Sequence, residues 1–159
     1  MNVIILAAGM GSRMGSLTKE KPKCFLKVNG VSLIEKLINQ LREIGLKDIS
    51  IVTGYKAKKF RFKNINFFYN KKFKSTNMVY SLMMAKKKLN RDTLIIYSDI
   101  IVSKEILKKM ISKKYNNKLA VAIDINWKKY WSFRFKDINQ DLESLKINKK
   151  MKSLNLGKR

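Results

Sequence analysis

Residues 2–13, Asn2-Val3-Ile4-Ile5-Leu6-Ala7-Ala8-Gly9-Met10-Gly11-Ser12-Arg13, decide how the chain folds. The run from Asn2 to Ala7 is aliphatic and β-branched, of strand length, and apolar at consecutive positions. A strand buried on both faces has that pattern. Small residues and two glycines close it in a tight loop. Gly9 and Gly11 allow the backbone to turn sharply and to lie against a ligand with no Cβ in the way. N–H groups exposed in such a turn form an anion nest, and the start of a following helix would add its dipole. Arg13 could then hold phosphate oxygens through two parallel hydrogen bonds, which lysine cannot reproduce. The competing reading is an ordinary strand-to-helix turn carrying a chance arginine. Arg13 together with Lys23 favours phosphate. A dinucleotide fingerprint would need glycine at Met14 and a P-loop would need Gly-Lys-Ser/Thr there, so neither pattern is present.

Outward from this loop, strands and helices alternate. Leu33, Ile34, Leu37, Ile38, Leu41 and Ile44 share one helical face, with Ser32 as N-cap and Gly45 at the C-terminal end. Asp48 to Thr53 reads as a second strand closed by Gly54, and Asn66 to Tyr69 as a short third. Asn77 to Lys88 reads as a helix, Thr93 to Ser98 as a buried strand ending at Asp99, Ser103 to Lys113 as a capped helix, and Leu119 to Ile123 as a further strand. Past Asp124 the pattern becomes irregular and aromatic, and the tail reads as two short strands, Asp141 to Ile147 and Lys152 to Leu156. The expected fold is a three-layer α/β/α domain with a mostly parallel, Rossmann-like sheet built from right-handed βαβ units. Ligands bind at the carboxyl ends of such strands, which puts the glycine loop and Asp99 on one edge.

Composition bounds the chemistry. The 159 residues are 45% apolar, enough for a real core. No apolar run reaches the roughly 18 residues of a membrane span, and Val3 to Ala8 lacks the basic flank of a signal peptide. Cys24 is the single cysteine and histidine is absent, which excludes an internal disulfide, a zinc site and a His-based triad, and suits a reducing cytoplasm. The net charge of +25 attracts anions in general, but its lysines are scattered from Lys19 to Lys158 and belong first to solvated faces.

The run LAAGMGSRMGSLTKEKPKCFLKV (6–28), with IVTGY (51–55), STNMVYSL (75–82) and YSDI (97–100), resembles the nucleotidyltransferases of the MobA-like NTP transferase type. Within them it is most similar to the cytidylyltransferases that act on phosphocholine and related phosphorylated compounds, including phosphoglutamine in capsule synthesis. The resemblance implies a cytoplasmic, Mg²⁺-dependent enzyme of cell-surface polysaccharide biosynthesis. It would transfer CMP from CTP to a small phosphorylated acceptor and release pyrophosphate. Leu6, Ala7, Ala8, Gly9, Gly11 and Ser12 would embrace the nucleotide, Arg13 and Lys23 would bind its phosphates, and Asp99 would hold the metal. Asp99 as a mere cap before Ser103 is the competing reading. Asn77 and Tyr80 would border the acceptor or base pocket, though Tyr80 also suits a core. Trp127 and Trp131 would suit a cationic head group, or act as hydrophobic filler. Relatives of this kind continue beyond the Gly-Lys matched by Gly157-Lys158, with a later acidic residue at the metal. The expectation is therefore one nucleotidyltransferase domain over 1–159, short of its relatives' C-terminal part.

Two other readings stand beside this one. One keeps the fold and uses UTP, dTTP or GTP with a sugar-1-phosphate. The other is a catalytically incomplete nucleotide- or nucleic-acid-binding protein, against which no recognised nucleic-acid module appears. No specific nucleic acid and no membrane is expected as a partner, and self-association is left open.

Overall fold

The computed structural model describes residues 1–113, 119–138, 145–147 and 153–156. The chain divides into two compact units, Met1–Lys114 and Tyr115–Arg159.

In the first unit the strands are β1 (Asn2–Ala7), β2 (Lys27–Val28), β3 (Val31–Ser32), β4 (Ile49–Thr53), β5 (Asn66–Tyr69) and β6 (Thr93–Tyr97). Its helices are α1 (Leu33–Glu43), α2 (Met78–Met84) and α3 (Lys104–Ser112). The main sheet runs β5-β4-β1-β6, and every neighbouring pair is parallel. Alternation along β1 divides the core. Val3, Ile5 and Ala7 join Ile34, Leu37, Ile38 and Leu41 of α1 and Leu107 of α3 in one cluster. Ile4 and Leu6 face the other way, toward Val52, Leu82, Met84 and Ala85. Helices thus cover both faces, which is why β1 is apolar at every position from Val3 to Ala7.

Local signals agree with these elements. Ser32 Oγ accepts the Glu35 N–H at 3.3 Å while Glu35 Oε2 accepts the Ser32 N–H at 3.1 Å, a capping box that starts α1. Gly45 ends it with φ +87°. The antiparallel pair β2-β3 is closed by Asn29 and Gly30, both at positive φ. Asn-Gly is the hairpin signal the sequence reading passed over.

The chain leaves β1, builds β4 and β5 to one side, then returns to add β6 on the other. Order therefore reverses at β1, and the crevice beyond the carboxyl ends of β1 and β6 is where such sheets bind ligands. One expectation about this end needs correction. Ser12–Thr18 winds as 3-10 turns interrupted at Gly15, with φ 56° and ψ −129°. No continuous helix follows the loop, so any dipole there is that of a single short turn.

In the second unit α4 (Trp127–Arg134) is followed by an antiparallel pair, β7 (Leu145–Ile147) and β8 (Ser153–Leu156). The rest of the two tail strands read from sequence, 141–144 and 152, lies outside the described residues. Leu119 to Ile123 is not a strand. A short apolar run becomes one only where another edge takes its backbone hydrogen bonds. Among the described residues none pairs with it, and Leu119 and Val121 are exposed. The aromatic stretch read as irregular is helical instead. Trp127 and Trp131 meet edge-on at 6.5 Å, and Trp131 meets Phe135 at 5.8 Å. The spacing of four that brings them together was visible in the sequence.

Candidate active site

A cleft opens at the strand-order reversal. Its floor is the end of β1 and the loop after it, Leu6 to Gly9 with Gly11, and Ser98 and Asp99 stand on the far side, just past β6. The Ser98 N–H donates to Leu6 O at 3.2 Å and the Tyr55 N–H donates to Ala8 O at 3.0 Å. The ladder therefore continues one step past the strands and fixes the loop's first residues.

The loop beyond is held by a residue the sequence reading did not single out. Thr18 is buried, and its hydroxyl donates to Gly11 O at 3.0 Å. Gly11 adopts φ +66°, and a Cβ there would lie 3.0 Å from Lys23 Cβ. Glycine is favoured at 11 for both reasons. At Gly9 a Cβ would meet nothing within 4 Å, so packing within the described residues does not demand glycine there. A ligand lying against the backbone would.

Pro22 and Lys23 bring the first cation to the cleft. The Phe25 and Leu26 N–H groups donate to Pro22 O and Lys23 O at 2.9 and 3.0 Å, forming one tight turn. From it Lys23 Nζ reaches Asp99 Oδ2 at 2.8 Å. Both side chains keep about a third of their surface exposed, 38% and 33%, so solvent and ligands can compete for the pair. Beneath them Cys24 is buried. Burial pushes its thiol up to about 12, against the opposing hydrogen bond with Ser98. It is therefore not a nucleophile at neutral pH.

The remaining wall comes from the segment before α2 and from α2 itself: Phe73, Thr76, Asn77, Met78 and Ser81. Asn70, fully buried, organises it. Its amide Nδ2 donates to Thr76 Oγ1 and Ser81 Oγ, each at 3.0 Å, and its Oδ1 accepts the Lys72 N–H at 2.9 Å. Nothing but an Asn at a strand end, ahead of a turn that closes on Ser75 and Thr76, hinted at that role. Asn77 Oδ1 accepts the Tyr80 N–H at 3.0 Å, capping α2. Its carbonyl end thus serves the fold while the residue lines the cleft.

Leu6, Ala7, Ala8, Gly9, Gly11, Lys23, Asn77 and Asp99 all line this one cleft. Ser12 and Arg13 follow directly on the 3-10 turns, both exposed, and neither is among the lining residues. Tyr80 is 38% exposed on α2 and is not on the wall either. Trp127 and Trp131 belong to α4 of the second unit. Of the other early lysines, Lys21 and Lys27 line a separate concavity with Lys58, Lys59 and Arg61.

Among the described residues Asp99 is the sole acidic one lining the cleft. Among the described residues no group of three or more His, Cys, Asp or Glu could hold a metal ion. One carboxylate beside the glycine loop would suit Mg²⁺, which binds through one or two carboxylates with water and substrate phosphates completing its octahedron. No helix of the described residues is long and apolar enough to cross a membrane.

Residues 3–154 match the MobA-like NTP transferase domain. The chain is 36% identical to CTP:phosphoglutamine cytidylyltransferase of Campylobacter jejuni over 158 residues, covering 92% of this chain and 62% of that protein. It is 34% identical over 120 residues to choline-phosphate cytidylyltransferase of Haemophilus influenzae, covering 72% of this chain and 51% of that one. Among solved structures, CTP:phosphocholine cytidylyltransferase from Streptococcus pneumoniae (LicC) superposes with a TM-score of 0.59 at 36% identity. That match covers 62% of this chain and 44% of that one. The chain thus spans about half to three fifths of the length of the two curated relatives.

Proposed function

The chain belongs to the MobA-like NTP transferase family, and we propose from that membership that it transfers CMP from CTP to a small phosphorylated acceptor of the phosphocholine or phosphoglutamine class. Both units are taken as parts of one nucleotidyltransferase domain, since the family match runs through both.

An acceptor phosphate oxygen attacks the α-phosphorus of CTP in line. The bond from that phosphorus to the bridging oxygen breaks, and pyrophosphate leaves with the electron pair. No protein nucleophile is needed, in keeping with the buried, protonated thiol of Cys24. What the chain contributes is position and charge. The backbone of Ala7 to Gly11 cradles the nucleotide, and Lys23 and Arg13 neutralise its phosphates. Arg13 takes this role from its place two residues past Gly11, with a side chain long enough to turn toward the loop. Asp99 would hold Mg²⁺, whose charge offsets the repulsion between the two phosphates and the charge building on the leaving group. Asn77 borders the acceptor or base, with Tyr80 on the same helix start. Trp127 and Trp131 are assigned to a cationic acceptor head group, as an aromatic pair on one side of α4.

The observation that carries the proposal is the meeting of the glycine loop, Lys23 and Asp99 in one cleft at the point where strand order reverses. Pyrophosphate release tests it. CTP, UTP, dTTP and GTP would each be offered with phosphocholine, phosphoglutamine or glucose-1-phosphate. Release with CTP and one of the first two acceptors is expected. Release with UTP, dTTP or GTP and the sugar phosphate alone would replace the cytidylyl reading.

A further inference from the structure

The Lys23–Asp99 pair joins two groups that the proposed reaction needs apart. We infer that Lys23 is the resident counter-ion of Asp99, and that a divalent metal gains this carboxylate only when a polyphosphate draws the ammonium away. The inference rests on the reading of the cleft as a metal–nucleotide site and adds an order of binding to it.

Three observations carry it. First, Lys23 Nζ lies 2.8 Å from Asp99 Oδ2. A dication bound to the same carboxylate would sit within a few ångströms of that ammonium, a repulsion that solvent only partly screens. Second, Asp99 is the only acidic residue lining the cleft among the described residues, so these offer a lone metal one carboxylate that is already neutralised. Third, the pair is partly exposed and lysine is a flexible point charge, so the contact is exchangeable. A triphosphate carries several negative charges and outcompetes a single carboxylate for Lys23. Once the ammonium has moved, Asp99 is released beside phosphate oxygens that complete a metal's coordination shell. The chain would therefore bind free metal poorly and take it up together with the nucleotide. By linkage, nucleotide and metal must raise each other's affinity by the same factor.

Mn²⁺ serves as the probe, its free concentration read by electron paramagnetic resonance. The full chain, Lys23→Met and Asp99→Asn would each be titrated with and without CTP. Without CTP, Lys23→Met is expected to bind Mn²⁺ about three- to tenfold more tightly than the parent chain, in line with loss of an ion pair plus a nearby repulsive charge. The same variant should bind CTP more weakly, and its Mn²⁺ affinity should respond less to CTP. A merely structural lysine would not move metal and nucleotide affinity in opposite directions. Lys23→Gln, checked by circular dichroism, repeats the test if the Met variant folds poorly. Equal lone-Mn²⁺ affinity in parent and Lys23 variants, with Asp99→Asn abolishing the CTP-dependent site, would overturn the counter-ion role and leave the site standing. CTP-dependent Mn²⁺ binding unchanged in Asp99→Asn would remove the metal assignment and the inference with it.

Discussion

Phe73 stands where a side chain at position 54 would have to go. A Cβ on Gly54 would lie 2.5 Å from Phe73 Cβ and 2.7 Å from the carbonyl oxygen of Ala8. The absence of one methyl group lets the turn after β4 pack between the backbone of Ala8 and Phe73, both of which line the cleft.

Gly54→Ala should therefore act on the cleft more than on the core. Ala8 O is backbone and cannot rotate away, so Phe73 or the loop must shift. Overpacking of this kind commonly costs about 1–3 kcal/mol. A loss of CTP affinity of about tenfold or more is expected by titration calorimetry, with a moderate fall in denaturation midpoint. Unchanged affinity would mean that the wall does not touch the nucleotide.

The two loop glycines should respond in opposite ways. Gly9→Ala places its methyl group in open space, so stability should stay within about 0.5 kcal/mol while CTP affinity falls. Gly11→Ala is strained at φ +66°, by about 1–2 kcal/mol, and it also presses on Lys23. It should lose both stability and affinity. Urea denaturation alongside CTP titration separates the two patterns.

Much of this was legible in the sequence. The consecutive apolar residues of β1 required cover on both faces, and the helical spacing of Ile34, Leu37, Ile38 and Leu41 supplied it on one. The rule for strand ends put the loop and Asp99 on one edge without any coordinates. Other parts depend on who pairs with whom across long separations. Leu119 to Ile123 has a strand's apolar run but no partner among the described residues, and Asn70 became important only through Thr76 and Ser81. Lys23 could not be told from Lys21 or Lys27 by local sequence beyond its place in a family pattern. The turn at Pro22 sends Lys23 to Asp99 and its neighbours to a different surface.

Ser50 offers a test of the core. Its Oγ is buried without a hydrogen-bond partner among the described residues, on a strand position in register with Ile4. Leaving a hydroxyl so placed costs about 1–3 kcal/mol. Ser50→Ala should hold or raise the free energy of unfolding, by about 0.5–1 kcal/mol after allowing for alanine's poorer strand preference, as read by urea denaturation. A fall of more than about 1 kcal/mol would show that the hydroxyl has a partner.

At the opposite end of the sheet Asp48 accepts from Lys88 Nζ at 2.7 Å and from an Arg91 terminal nitrogen at 2.8 Å. The Lys88 hydrogen bond, foremost, holds its carboxyl below the ordinary value. A depressed carboxyl stabilises the fold above its unfolded value, about 3.9, and that contribution disappears as pH falls through the folded one. Asp48→Asn should lose about 0.5–1 kcal/mol at pH 7, as partly exposed pairs do. The gap from the parent chain should narrow progressively below about pH 4. Urea denaturation across that range checks both the size and the sign, and a gap that widens in acid would contradict the pairing.

The most direct test is calorimetric titration of CTP into the parent chain and Asp99→Asn, each with and without Mg²⁺. The parent chain should bind CTP more tightly when Mg²⁺ is present, and Asp99→Asn should lose that dependence while keeping its fold. CTP affinity indifferent to Mg²⁺ in both proteins, or an absence of CTP binding by the folded parent chain, would contradict the assignment of this cleft.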